Sequence, residues 1–112
     1  MLMMMLVLDD PEKLEAVLIS WEALGVSAIT ITESTGVHLH KKPPRLPFRF
    51  GFEGQAPSYD EYHYTLFCIV SDENIVQACL AAAERIIGNL DDPDTGMMAV
   101  WPLTFMKGVS FP

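Results

Sequence analysis

Ser27–Gly36 reads SAITITESTG. Ile29 and Ile31 alternate with Thr30 and Thr32, so a strand here puts isoleucines on one face and threonines on the other. Gly36 ends that run and releases a segment of different character. From about residue 37 to 61 the chain holds Lys41, Lys42, Arg45 and Arg49, four of its seven basic residues. The same segment carries Pro43, Pro44, Pro47 and Pro57, with Phe48, Phe50 and Phe52 between them. A loop of this length is uncommon in a small domain, and where it occurs it is usually functional or disordered. The pattern predicts a compact platform from the remaining residues and a structureless loop that does the binding.

Leu2–Leu8, LMMMLVL, is a continuous apolar run closed by Asp9-Asp10-Pro11. Such a run fits a strand covered on both faces. Asp10 suits a helix N-cap and Pro11 the first helical position, where its missing N–H costs nothing. Leu14, Val17, Leu18, Trp21 and Leu24 recur at helical spacing, and Gly25 supplies a left-handed stop. After the loop, Tyr62–Val70 is rich in aromatic and β-branched residues and reads as a strand. Ser71-Asp72-Glu73 opens a second helix whose buried stripe is Ile75, Val76, Cys79, Leu80, Ala83, Ile86, Ile87 and Leu90. Gly88-Asn89 ends it, residues 91–96 are turn chemistry, and Met97–Leu103 forms a last strand whose Pro102 favours an edge. Residues from about 104 to 112 form a tail or a short extra strand.

The order β-α-β-β-α-β is the ferredoxin-like α+β sandwich, with the first and third of its four strands in the centre. Two helices cover one sheet face. The other, bearing residues such as Phe67 and Ile69 or their alternates along the strand, needs a partner, because a bare apolar face of that size is unusual in a monomer. The totals bound the rest. With 112 residues there is room for one domain, and 50% hydrophobic content makes it globular. A formal net charge of -8 argues against nucleic acid or an anionic membrane surface as partner. Cys68 and Cys79 lie ten apart inside apolar patterns and read as buried free thiols, which fits a reducing, cytoplasmic setting. The opening MLMMMLVL has no basic lead and is too short for a signal peptide or a span.

The strand ending TITESTG, the long loop after its glycine, and the stretch GNLDDPDTGMMAVWPL from Gly88 to Leu103 together resemble the PII signalling proteins (the nitrogen regulatory protein P-II superfamily). The closest likeness is to divergent PII-like proteins with an LDxPxTG turn, and it covers nearly the whole chain as a single domain, 1–112. It implies a homotrimer with sheets packed inward, a small effector in the clefts between subunits, and a loop, the T-loop, that contacts a target protein. It implies no enzymatic activity. On that resemblance Val7, Thr30, Gly36, Val37, Ile69 and Gly96 fall at the effector cleft. Lys41, Lys42, Arg45, Phe48, Arg49 and Phe50 fall in the partner-binding loop. An adenine nucleotide is the effector the family implies. The usual phosphate-facing lysine is replaced here by Met97, and the two C-terminal arginines are absent from Lys107-Gly108-Val109-Ser110. With those cations gone, the identity of the effector stays open.

Other chemistries find less in the residues. His38-Leu39-His40 places two imidazoles on one side of an extended chain, and His63 approaches them if the flanking strands pair. That set is the basis of the alternative reading, a CutA-like trimer binding divalent metal, with Asp60 or Glu61 completing the ligands. An acylphosphatase-type phosphate loop would fall at Asp9-Asp10-Pro11, which repels phosphate. No nucleophile–base set or Lys-Ser/Thr phosphate loop is present.

Overall fold

A computed structural model of the protein describes residues 1–35 and 63–109 in full, and residues 37–41 and 55–59 at the level of backbone pairing. Its elements run β1 (Leu2–Leu8), α1 (Leu14–Ala23), β2 (Ile29–Ser34), β3 (Val37–Lys41), β4 (Gln55–Tyr59), β5 (His63–Val70), α2 (Glu73–Ile87) and β6 (Gly96–Pro102). One antiparallel sheet has the order β2-β5-β1-β6, so the two most apolar strands are central, as the ferredoxin-like pattern requires. The structure corrects the reading of the long loop as structureless. It opens and closes as a two-stranded ribbon, β3 against β4, with Val37 opposite Tyr59 and Lys41 opposite Gln55. Local propensity gives that pairing little support, since Val37 is the one β-branched residue of the two strands and β4 contains Pro57. The tail, from Leu103 to Val109, forms no strand; it is tied at its start by the Leu103 amide, which donates to the Met1 carbonyl at 3.1 Å.

The helices form where the punctuation residues allow. Asp10 caps a single 3-10 turn, Pro11–Lys13, that leads into α1. At the far end of α1, Val26 N–H donates to Trp21 O (3.1 Å) and Gly25 N–H to Glu22 O (3.0 Å). This paired arrangement needs a left-handed residue at position 25, and Gly25 has φ 96°. Asp72 caps α2 by accepting from the amides of Asn74 and Ile75, at 2.9 and 3.1 Å. The caps fix both entry angles.

Between helices and sheet, Met4, Leu6, Leu66, Cys68 and Val70 meet Val17, Trp21, Val76, Cys79, Ala82 and Ala83, all buried. Trp21 also donates its indole N–H to the Cys79 carbonyl at 3.0 Å, tying the two helices together. Ala82 belongs to this face although the helical stripe read from the sequence omits it; its small side chain lets the helix sit close. Both cysteines are free and buried, as expected. Burial pushes the Cys68 thiol from 9.0 up to about 12, with Cys79 adding to the effect. Burial alone pushes Cys79 from 9.0 up to about 11. The folded thiols thus hold their protons where unfolded ones lose them. Their contribution to stability is complete below about pH 9 and is lost as the pH climbs through the folded values. Urea unfolding midpoints should therefore be insensitive to these thiols between pH 7 and 8.5 and should decline above pH 9. A Cys68→Ala/Cys79→Ala variant should show a shallower alkaline decline.

The register assigns every strand residue to a face. Met3, Met5 and Val7 of β1, Phe67 and Ile69 of β5, and Met97, Ala99 and Trp101 of β6 point away from the helices. Trp101 is 41% and Met97 50% exposed. The face that lacks helices is therefore as apolar as the sequence predicts.

Candidate functional site

The uncovered sheet face is not uniformly apolar. Along its β2 margin stand Thr30, Thr32 and Ser34, paired with Phe67, Thr65 and His63 of β5. Ser34 Oγ lies 2.8 Å from His63 Nδ1 and 2.9 Å from Thr65 Oγ1. Thr32 Oγ1 donates to the Thr65 carbonyl at 3.4 Å. His63 and Thr65 are each only 8% exposed, although they lie on the open side. These hydroxyls and the imidazole satisfy one another at the paired ends of β2 and β5. Nδ1 of the His63 ring thus has Ser34 as its neighbour, and the side chains of His38 and His40, its companions in the metal reading, lie outside the described residues. Among the described residues no cluster of three metal-ligating side chains occurs.

Two of the predicted effector residues meet. Thr30 and Ile69 both line a cavity of about 640 Å³, whose other walls include Val26, Ser27, Phe67, Ser71 and the tail residues Gly108 and Val109. The volume falls within the range of small-ligand sites, and the mix of apolar walls and a few hydroxyls is typical of them. The tail and the α1–β2 connection had no assigned role in the sequence. Their signal there was faint: a Ser-Ala after a helix stop and a lone Gly-Val.

Val7 and Gly96 meet elsewhere. They lie in adjacent register steps at the opposite end of the sheet, with Leu8 opposite Gly96 and Val7 opposite Met97. From Thr65, the β5 partner of Val7, to Ile69 is four residues, about 13 Å along the strand. Around Gly96 the turn is built from side chains. Glu84 Oε2 accepts from Leu90 N–H at 2.9 Å, Asn89 Oδ1 accepts from Asp91 N–H at 2.9 Å, and Thr95 Oγ1 donates to Asp92 O at 2.9 Å. Three carboxylates, Asp91, Asp92 and Asp94, project from it, and no lysine follows Gly96. Of the remaining predicted residues, Gly36 and the loop residues Lys42, Arg45, Phe48, Arg49 and Phe50 lie outside the described residues. Val37 and Lys41 are placed only as the first and last paired positions of β3.

Comparison with known proteins finds likeness in structure alone. No family model matches the chain, and no curated protein matches it by sequence. Among solved structures, GlnK of B. subtilis superposes with a TM-score of 0.67 at 17% identity, covering 92% of this chain and 85% of GlnK. The GlnK–ATP complex from the same organism superposes with a TM-score of 0.65 at 16% identity, covering 89% of this chain and 79% of that one. GlnK is a PII protein, so the fold of this chain is PII-like over about nine-tenths of its length.

Proposed function

We propose that the protein is a divergent PII-like regulator and not an enzyme. It assembles as a homotrimer through the uncovered sheet face, binds a small effector between subunits, and contacts a target protein through residues 37–61. The observation that carries this reading is the separation of the predicted effector residues. Thr30 and Ile69 line a cavity at one end of the sheet, while Val7 and Gly96 sit at the other end. One chain cannot close a ligand site from both groups; a second copy, laid head-to-tail on the same face, can. The apolar row Met3, Met5, Phe67 and Ile69 supplies the area for such a contact.

The structural likeness to GlnK, including its ATP complex, supports an adenine nucleotide as the first effector to try. The carboxylates around Gly96 and the methionine after it count against tight phosphate binding, since charge-assisted contacts from lysine or arginine carry that recognition. Effectors with little negative charge therefore fit the site better than nucleoside triphosphates. The absence of any helix, among the described residues, long and apolar enough to cross a membrane is compatible with a cytoplasmic regulator.

Two measurements test the reading. Sedimentation at micromolar concentration should give three chains per particle, and Met5→Glu, which places a charge in the middle of the open face, should give single chains. Thermal shifts with ATP, ADP, AMP, cyclic di-AMP and bicarbonate should reveal a stabilising ligand, about 2.7 kcal/mol at a hundredfold excess over its Kd. That shift should disappear in the Met5→Glu monomer. A wild-type protein that stays monomeric sinks the proposal.

A further inference from the structure

The tail crosses the end of the sheet. It leaves the edge strand β6 at Pro102, opposite Leu2, and its residues Gly108 and Val109 stand in the wall of the cavity of about 640 Å³ beside β2 and β5. In the order β2-β5-β1-β6 that path passes the end of β1 and covers about 10 Å, which five extended residues span with ease. Its attachment is light. Among the described residues one backbone hydrogen bond holds it, from the Leu103 N–H to the Met1 carbonyl at 3.1 Å. Beyond that bond one side chain in three turns inward. Leu103, Met106 and Val109 are half-buried, while Thr104, Phe105, Lys107 and Gly108 are exposed. Gly108 makes the last bend, with φ 84° and open space where a Cβ would stand.

The other walls of the cavity are fixed in a different way. Phe67, Cys68 and Ile69 belong to the central strand β5, and Val26 is part of the buried core. A segment with few buried contacts and few backbone hydrogen bonds opens locally while the paired strands stay folded. What the tail covers is visible at Cys68, which borders the cavity and yet is only 3% exposed. We propose that residues 103–109 are a strap over the cavity bordered by Thr30, Cys68 and Ile69, hinged at Leu103 and latched by Met106 and Val109. Docked, the strap adds an apolar wall to the cavity; released, it opens the cavity from the end of β5. The strap itself follows from the packing of one chain, and only its role in admitting and retaining an effector rests on the proposed function.

Alkylation of the native full-length chain by iodoacetamide, followed by peptide mass spectrometry, reads the strap through Cys68. Only a thiolate reacts, and burial pushes the Cys68 and Cys79 thiols up to about 12 and about 11, so both are slow in the closed protein. Met106→Asp/Val109→Asp, which drives the latch into water, should speed Cys68 alkylation at least about tenfold. Val109→Ser alone should give a smaller rise in the same direction. Cys79 is fully buried on α2 and does not border the cavity, so its rate should not change. Phe105→Ser, at a position of the same tail that is 79% exposed, should change neither rate. No effector is present in this experiment, so it answers for the strap alone, and the thermal shifts described above answer for the effector reading. An unchanged Cys68 rate in the aspartate variant, or equal acceleration by Phe105→Ser, overturns the strap. So does a parallel rise at Cys79, which would make the tail a support of the whole fold and not a cover for one cavity.

Discussion

Trp21→Ala should cost about 3–5 kcal/mol, enough to leave a domain of this size mostly unfolded at 37 °C. Trp21 is completely buried and is the largest side chain of the core. It sits where α1, α2 and the helix face of the sheet converge, so its removal opens a cavity that three elements border. Its indole N–H also donates to the Cys79 carbonyl at 3.0 Å, a side-chain hydrogen bond that joins the two helices. Trp21→Phe separates the two contributions: it keeps most of the volume and loses the bond, and should cost about 1–2 kcal/mol. Urea titrations followed by circular dichroism would read both. If the alanine variant lost less than the phenylalanine variant, the packing described here would be wrong at its centre.

The same residue shows why so much of the platform was legible in the sequence. Trp21 lies in a stripe with Val17 and Leu24 at helical spacing, the stripe runs up to Gly25, and an Asp-Pro start precedes it; each signal favours the same helix. β1 and β5 were legible as central strands because their runs are apolar on both faces, one face meeting helices and the other left without them. Charge was legible too. Twelve of the fifteen acidic residues lie outside 36–62, while four of the seven basic residues lie inside it. The ribbon was not legible. A five-residue strand containing Pro57 and another reading VHLHK offer weak alternation, and their pairing arises from register across a thirteen-residue gap rather than from local propensity. The Ser34–His63–Thr65 network was hidden for a similar reason. Ser34 and His63 are 29 apart in sequence, and only the antiparallel register brings the hydroxyl and imidazole together.

Gly96 brings structure and function into conflict, and the expected result there distinguishes them. Its φ is 145°, and a Cβ at that position would collide with the Val7 carbonyl oxygen on the neighbouring strand. The obstacle is backbone, so it cannot rotate away as a side chain would. Gly96→Ala should therefore force β6 off β1 where Leu8 faces Gly96, at a cost of about 2–3 kcal/mol from backbone strain and overpacking together. Gly96→Val should cost more. Two residues earlier, Asp94 adopts φ 63° with a side chain that tolerates it, and Asp94→Gly should stay within about 1 kcal/mol of the native protein. The contrast has a consequence for ligand work, since the resemblance to PII proteins makes Gly96 a candidate effector contact. A binding defect in Gly96→Ala would reflect a displaced strand before it reflected a lost contact. Measuring the apo stability of both variants resolves this. A large loss for Gly96→Ala beside a small change for Asp94→Gly assigns the glycine to the β1–β6 junction. An alanine variant as stable as the native protein, yet unable to bind, would return Gly96 to the cleft.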